Sequence, residues 1–297
     1  MKYILAHDFG TSGLKSSIFT TEGQFVKTKT EPYPTYYSNG SWVEQDPEDW
    51  WKAFCKNNKA LLNDIDPKDV AVVGFDGTYP NCLCIDKDLK PLNRCMIWQD
   101  ARSFKEAEEI SKALPAKYTA SRPNGILGTD RSLNKLLWVK KNQPEIFEKT
   151  WKILPCVQDY IIMKLAGVVV VSKDAAGSTA FMNVEKTEWS EEVLSIAGIP
   201  MSMMPEFHNK TDIVGTVSQE MSEECGLAEG TKLVIGTGDS QCMNIGAHMF
   251  EEGDGYMNGG TSAGILCLNA KKAKLGGQTA SSGSSLSWLK NTICLHE

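Results

Sequence analysis

A chain of 297 residues, 41% hydrophobic and 23% charged, has room for one large domain or two ordinary ones with normal cores. A formal charge of −6 argues against a phosphate-backbone binder, so no nucleic-acid partner is expected. The longest apolar runs, such as residues 168–171, are too short to cross a bilayer, and the opening Met1-Lys2-Tyr3-Ile4-Leu5-Ala6-His7-Asp8 reaches charge too early for a signal peptide. The expectation is a cytoplasmic protein with no membrane partner.

The first thirty residues read as a β-meander, with strands over 3–6, 14–20 and 24–29 and a turn at Thr21-Glu22-Gly23. Asp46-Pro47-Glu48 then starts a helix, with Asp as the cap and Pro in the first turn, and Trp50, Trp51, Phe54, Leu61 and Leu62 give it an apolar face. Residues 70–75 form a β-branched strand of the buried kind, and 83–85, 95–98 and 232–235 read as further strands. Helices are expected over 103–114, 132–141 and 159–165, which makes the chain α/β. Nine cysteines, an odd number with no Cys-x-x-Cys pair, read as reduced and mostly buried thiols. Cys82 and Cys84 share a strand face without zinc-ligand spacing.

One pattern occurs twice. Asp8-Phe9-Gly10-Thr11-Ser12 and Asn258-Gly259-Gly260-Thr261-Ser262 each follow one apolar stretch and precede another. Two strand–turn–strand copies about 250 residues apart suggest a duplicated fold with one phosphate turn per half. In the first copy, glycine allows a tight turn whose amides could face phosphate oxygens, Thr11 and Ser12 add hydroxyls, and Lys15 adds charge. Asp8 at the strand end could hold a hydrated Mg²⁺. An ordinary solvated hairpin turn is the competing reading.

Gly236-Thr237-Gly238-Asp239-Ser240 places a carboxylate directly after a buried strand, where ligands bind in α/β folds, although Asp239 could equally cap a helix over 240–249. Trp98, Asp100 and Arg102 could stack on and hydrogen-bond a sugar, or be a core Trp beside a surface ion pair. Other matches fall away. Asp8-Phe9-Gly10 spells a protein-kinase triplet, but the chain has no His-Arg-Asp, and it has no P-loop. Gly260-Thr261-Ser262-Ala263-Gly264 fits a serine-hydrolase elbow with Ser262 as nucleophile, yet the next residues read as a strand where that elbow needs a helix. His7, His208 and His248 show no ligand spacing and read as structural.

Taken in order, these segments resemble the FGGY family of carbohydrate kinases, with xylulokinase-like members nearest. The resemblance runs through residues 8–15, Glu44-Gln45-Asp46-Pro47 with Trp50-Trp51, and Ile97-Trp98-Gln99-Asp100-Ala101-Arg102. It continues through Lys135-Leu136-Leu137-Trp138-Val139, Asp159-Tyr160, Asp174-Ala175-Ala176-Gly177, Gly238-Asp239 and Gly260-Thr261-Ser262.

The resemblance implies an actin-like, ribonuclease-H-like ATPase fold that phosphorylates a sugar or polyol hydroxyl with ATP and Mg²⁺. Asp239 matches the catalytic base and Asp8 the acid that organises metal and phosphates. Gly10, Thr11, Ser12, Lys15, Gly260 and Thr261 match the phosphate side; Thr78, Tyr79, Trp98, Asp100, Arg102, Asp239 and Ser240 fall on the sugar side. Xylulokinases have Gln-Met-His-Gly where this chain has Thr78-Tyr79-Pro80-Asn81, which counts against D-xylulose as the acceptor.

Family members are also longer. The expectation is therefore a fragment of low activity, with a complete sugar-binding domain over 1–247 and the truncated start of a nucleotide-binding domain over 248–297. Its tail from residue 271 would lack partner strands. A homodimer is left open, as is a non-catalytic sugar- or nucleotide-binding module of the same fold.

Overall fold

Period-two alternation builds the first two strands of the meander. Strand β1 (Tyr3–Gly10) turns Leu5, His7 and Phe9 to a buried face, and β2 (Gly13–Thr20) does the same with Leu14, Ser16 and Ile18. The two pair antiparallel and close at Gly10 opposite Gly13, with β3 (Phe25–Pro32) continuing the meander at a mostly exposed edge. β1 and β3 run several residues beyond the stretches that predict them, because ladder pairing carries Asp8, Gly10 and Thr30 as readily as valine.

Helix α1 (Pro47–Leu61) starts as expected, with the Asp46 side chain accepting the Glu48 N–H at 3.0 Å. It lays Trp50, Trp51 and Phe54 on the buried face of the sheet. Next come β4 (Val70–Gly77), α2 (Phe104–Ala113), α3 (Ser132–Asn142) and α4 (Val157–Ala166). Then follow β5 (Ile213–Thr216), α5 (Gln219–Cys225), β6 (Lys232–Gly238) and α6 (Asp239–Gly246). The six strands form one sheet in the order β5-β6-β4-β1-β2-β3, in which β6, β4 and β1 are parallel. A second core lies among the helices, where Ile110 and Leu114 meet Leu133, Leu136, Val139, Phe181 and Val193.

The structure describes residues 1–120, 123–183, 185–259, 263–268, 274–279 and 285, and no described helix is long and apolar enough to span a membrane. The chain divides into two compact units, Met1–Asp239 and Ser240–Glu297, whereas the sequence reading puts its boundary after 247. In the second unit β7 (Gly255–Gly259), β8 (Ala263–Leu268) and β9 (Lys274–Thr279) form an antiparallel sheet. The expected tail without partner strands is thus corrected over 274–279, where β9 pairs along the whole of β8. Backbone hydrogen bonding needs no apolar run, and Lys274 to Thr279 has none.

The first unit's sheet has two unequal faces. Leu5, His7 and Phe9 of β1 and Val73 and Phe75 of β4 are buried in the core with α1 and α4. The opposite row, Ile4, Ala6 and Asp8 in β1 and Val72, Gly74 and Asp76 in β4, is only half-buried. Polar residues at the C-terminal ends of the parallel strands therefore sit on an accessible face.

His7 lies on the closed face. Its Nδ1 is 2.8 Å from Ser16 Oγ, its ring stacks with Phe75 at 5.7 Å, and burial pushes its pKa down to about 3. The unfolded chain binds this proton from about pH 6.5 downwards and the folded chain resists it, so stability is full above 6.5 and drains as pH falls towards 3. Between pH 6.5 and 5, before most carboxylates titrate, urea unfolding should lose about 1.4 kcal/mol per pH unit from this group. The His7→Leu variant should show a visibly flatter slope there, and an unchanged slope would refute the assignment.

β6 reaches its neighbour through a bulge. The register with β4 shifts between Val234 and Thr237, and Gly236 sits there at φ +67°. A Cβ on Gly236 would lie 1.6 Å from the carbonyl oxygen of Phe75, so no other residue fits without moving β4. The Gly236→Ala variant is expected to lose at least about 3 kcal/mol of stability or to fail to fold, read by thermal melting.

Candidate functional site

Three carboxylates meet where the parallel strands end. Asp8 of β1 is the register partner of Lys15 on β2 and of Asp76 on β4, and Asp76 is in turn opposite Thr237 on β6. Asp239 follows β6 directly as the first residue of α6, inside the helix's first turn where the sequence reading allowed a cap before it. All three acids are half-buried. The charges of Asp8 and Asp239 both act on Asp76, and Asp8 hydrogen-bonds it. Burial comes first and these negative neighbours second in pushing the Asp76 pKa up to about 9, with Lys15 pulling the other way. At pH 7 Asp76 is therefore a neutral acid shared with Asp8.

Asp76 is the member that sequence reasoning missed. It stands in the apolar stretch Val70-Ala71-Val72-Val73-Gly74-Phe75, and only the parallel register with Asp8 gives it a meaning. The available signal was a charged residue ending a buried strand, as for Asp8.

The turn after β1 is braced from several sides. Tyr33 donates its hydroxyl proton to the Gly10 carbonyl, Gln45 Nε2 donates to the Thr11 carbonyl at 2.7 Å, and Trp98 Nε1 donates to Thr11 Oγ1 at 3.1 Å. Tyr33 is buried beside Asp8, Asp239 and Asp76, and burial together with those charges raises its pKa far beyond the ordinary tyrosine value. Thr11 and Trp98, assigned by the resemblance to the phosphate and sugar sides, are thus in direct contact. Ser12 and Lys15 are exposed beside them.

Asp100 and Arg102 are not a surface pair. Asp100 is fully buried and accepts the Val43 N–H at 2.7 Å and the Arg102 Nε–H at 3.0 Å. Arg102 also donates to Glu44 at 2.7 Å, and its guanidinium lies 3.9 Å over the Trp42 ring with Trp138 beyond it. Their hydrogen bonds point into the protein and hold the segment that carries Trp98.

Thr78 is buried and donates its N–H to the Phe9 carbonyl at 3.0 Å. Tyr79 is half-buried and packs on Cys156, Val171 and Ala175 with Trp189 and Phe207, away from the Asp100–Arg102 pair's own partners. Gly260, Thr261 and Ser262 lie outside the described residues, and Ser240 belongs to the second unit. β7 and β8 pair antiparallel, with Gly259 opposite Ala263. The strand after Ser262 is β8, where a hydrolase elbow requires a helix. Among the described residues no cluster of three His, Cys, Asp or Glu side chains could cage a metal.

A three-stranded meander feeding parallel strands, with acids at their ends, defines this as the actin-like ATPase fold of sugar kinases. The glycerol kinase of Plasmodium falciparum, solved with ADP, superposes at a TM-score of 0.84 over 98% of this chain and 63% of its own, at 22% identity. The gluconate kinase of Lactobacillus acidophilus does so at 0.85, covering 98% of this chain and 62% of its own, also at 22% identity. In sequence, the xylulose kinase of Bacillus subtilis is 26% identical over 100% of this chain and 63% of its own length. The model of the N-terminal domain of the FGGY family of carbohydrate kinases matches residues 3–246. The chain belongs to that family. It spans about 63% of the length of such relatives.

The Asp76 proton has a measurable consequence. Between the unfolded carboxyl value of about 3.9 and the folded value of about 9, the folded chain holds a proton that the unfolded chain releases. Stability therefore falls as pH rises through that window. The Asp76→Asn variant keeps a donor to Asp8 without this penalty. It should be more stable than the parent at pH 8, by on the order of 2 kcal/mol, with the gain vanishing towards pH 4. An equal gain at both pH values would show that Asp76 is not protonated in the fold.

Proposed function

We propose that the chain is the acceptor-binding part of a kinase that transfers the γ-phosphoryl group of ATP to a hydroxyl of a sugar or polyol. Family membership supports the reaction class. The observation that carries the assignment to this site is the convergence of Asp8, Asp76 and Asp239 at the accessible strand ends, next to the Gly10–Thr11 turn.

Phosphoryl transfer asks for in-line positioning and neutralisation of charge rather than covalent help from the protein. Asp239, closing β6, is placed to accept the acceptor hydroxyl's proton on its carboxylate oxygen as the oxygen attacks. The amides of Gly10, Thr11 and Ser12 and the Lys15 ammonium supply donors for phosphate oxygens. Because its hydroxyl oxygen accepts from Trp98, Thr11 keeps its own proton free to donate.

A single half-buried carboxylate, Asp8, fits Mg²⁺, which is commonly held by one or two carboxylates together with substrate phosphates and water. When bound there, the ion neutralises phosphate charge. Gly260 and Thr261, which the resemblance matches to phosphate-contacting positions, lie outside the described residues. Cys55, Cys82, Cys84, Cys95, Cys156, Cys225 and Cys267 are free thiols, which suits a reducing, cytoplasmic location.

The Thr78–Asn81 loop bears on which acceptor is used. Asn81 is fully buried, donating to the Thr78 carbonyl at 2.8 Å, so its role is to shape the loop that presents Tyr79. A coupled ADP-release assay on the full-length protein that contains this domain, across ketopentoses, pentitols, ketohexoses, gluconate and glycerol, tests the reading. One acceptor should give acceptor-dependent ADP. With that acceptor, Asp239→Asn should cut kcat by roughly 10²–10⁴-fold while ligand binding persists. Unchanged turnover in Asp239→Asn would remove Asp239 from the chemistry, and binding without any turnover in the parent protein would favour the non-catalytic module.

A further inference from the structure

We propose that Lys135 is a positioning residue for the acceptor site, a buried ammonium that sets the spacing between the Tyr79 loop and the Trp98 segment. The inference rests on the kinase reading above. It follows from where the three ammonium hydrogens go. Lys135, on the first turns of α3, is fully buried, and its Nζ lies 3.0 Å from the Pro80 carbonyl, 2.8 Å from that of Ile97 and 2.9 Å from that of Asp130. These carbonyls belong to three loops that are far apart in sequence, and three donors to three acceptors uses the ammonium completely.

Two of the three bonds are aimed at residues next to predicted acceptor contacts. Pro80 follows Tyr79, and Ile97 precedes Trp98, whose indole reaches Thr11. The Ile97 carbonyl also accepts the Asp100 N–H at 2.9 Å, which starts the turn into the Asp100–Arg102 pair. The same end of α3 adds a fourth tie, Ser132 Oγ to the Asn81 carbonyl at 2.6 Å, and Asn134 donates to the Gly128 carbonyl at 2.7 Å.

An apolar side chain would fill this space without the desolvation that a buried cation costs. Among the described residues Lys135 has no salt-bridge partner within 4.0 Å, and burial pulls its pKa down to about 8, with the charges of Asp130 and Asp100 offsetting only part of that. What the ammonium provides, and a methionine cannot, is a fixed distance between separate loops. Small errors in such distances have large effects on a reacting geometry.

The test compares Lys135→Met with the parent protein in thermal melting, in acceptor and ATP-analogue binding by calorimetry, and in ADP release. In protein that remains folded, the acceptor Kd and KM should rise by about tenfold or more, while affinity for the ATP analogue stays within about twofold. Acceptor and nucleotide affinities falling together, or neither changing, would overturn the proposal, because a purely structural lysine predicts one or the other. Should Lys135→Met not fold, Ser132→Ala, which releases only the Asn81 carbonyl, is read by the same split. Its acceptor KM should rise severalfold with the nucleotide unmoved, and an unmoved acceptor KM overturns the proposal. A parent protein that neither binds nor turns over any acceptor fails the kinase reading itself, and the inference falls with it.

Discussion

Everything at the site depends on the parallel pairing of β1 with β4. These strands are separated by four further strands and α1, so their register is set by long-range packing rather than by a turn. Phe9, His7 and Leu5 face the same core as Phe75 and Val73, and a slip of one residue would expose all of them. The register that buries those side chains also brings Asp8 level with Asp76 on the other face. The hydrophobic side of the sheet thereby places the charged side. Gly236 extends the arrangement to β6, because only glycine admits the bulge against Phe75 that sets Thr237 opposite Asp76.

Beside the sheet, the segments around Trp98 and Pro80 are held by buried polar groups instead of by apolar packing alone. Arg102 is clamped by Asp100 and Glu44 and sandwiched near Trp42 and Trp138, and Lys135 gathers three carbonyls. Loops have unpaired backbone groups that an oily core would leave unsatisfied, and long cationic side chains can reach several of them. The consequence is a wall with directional restraints, suited to holding Trp98 against Thr11. His7 with Ser16 and Asn57 does related work under the phosphate turn, where Asn57 Nδ2 donates to Ser16 Oγ at 2.9 Å.

Much of the local structure was legible because it is written in short-range chemistry. Asp46-Pro47-Glu48 starts α1 as a cap and first turn should, and the β-branched residues from Val70 form β4. The Gly10-Thr11-Ser12 turn, with Asp8 and Asp239 at strand ends, was legible from residue type and position, and the ordered motifs pointed to the family that the N-terminal domain model matches. Asp76 was not legible, since one carboxylate ending an apolar strand looks like a solvated end until its neighbour is known. The surface pair that the sequence left open at Asp100 and Arg102 is instead buried, because Val43, Glu44 and two tryptophans from remote segments close over it. β9 escaped notice because antiparallel pairing is carried by backbone groups that every residue has.

The sequence by itself determined the start of α1, the buried strand β4, the first hairpin with its Gly-Thr-Ser turn and the place of Asp8 and Asp239 at strand ends. These follow from residue conformational preference and from patterns a few residues long. The tertiary structure alone decided which acids lie side by side, that burial and negative neighbours raise the Asp76 pKa, and that the Lys135 ammonium inside α3 reaches carbonyls of loops that no helix pattern would connect to it. Such properties depend on distances between residues remote in the chain, and on the burial that strengthens every charge and hydrogen bond between them.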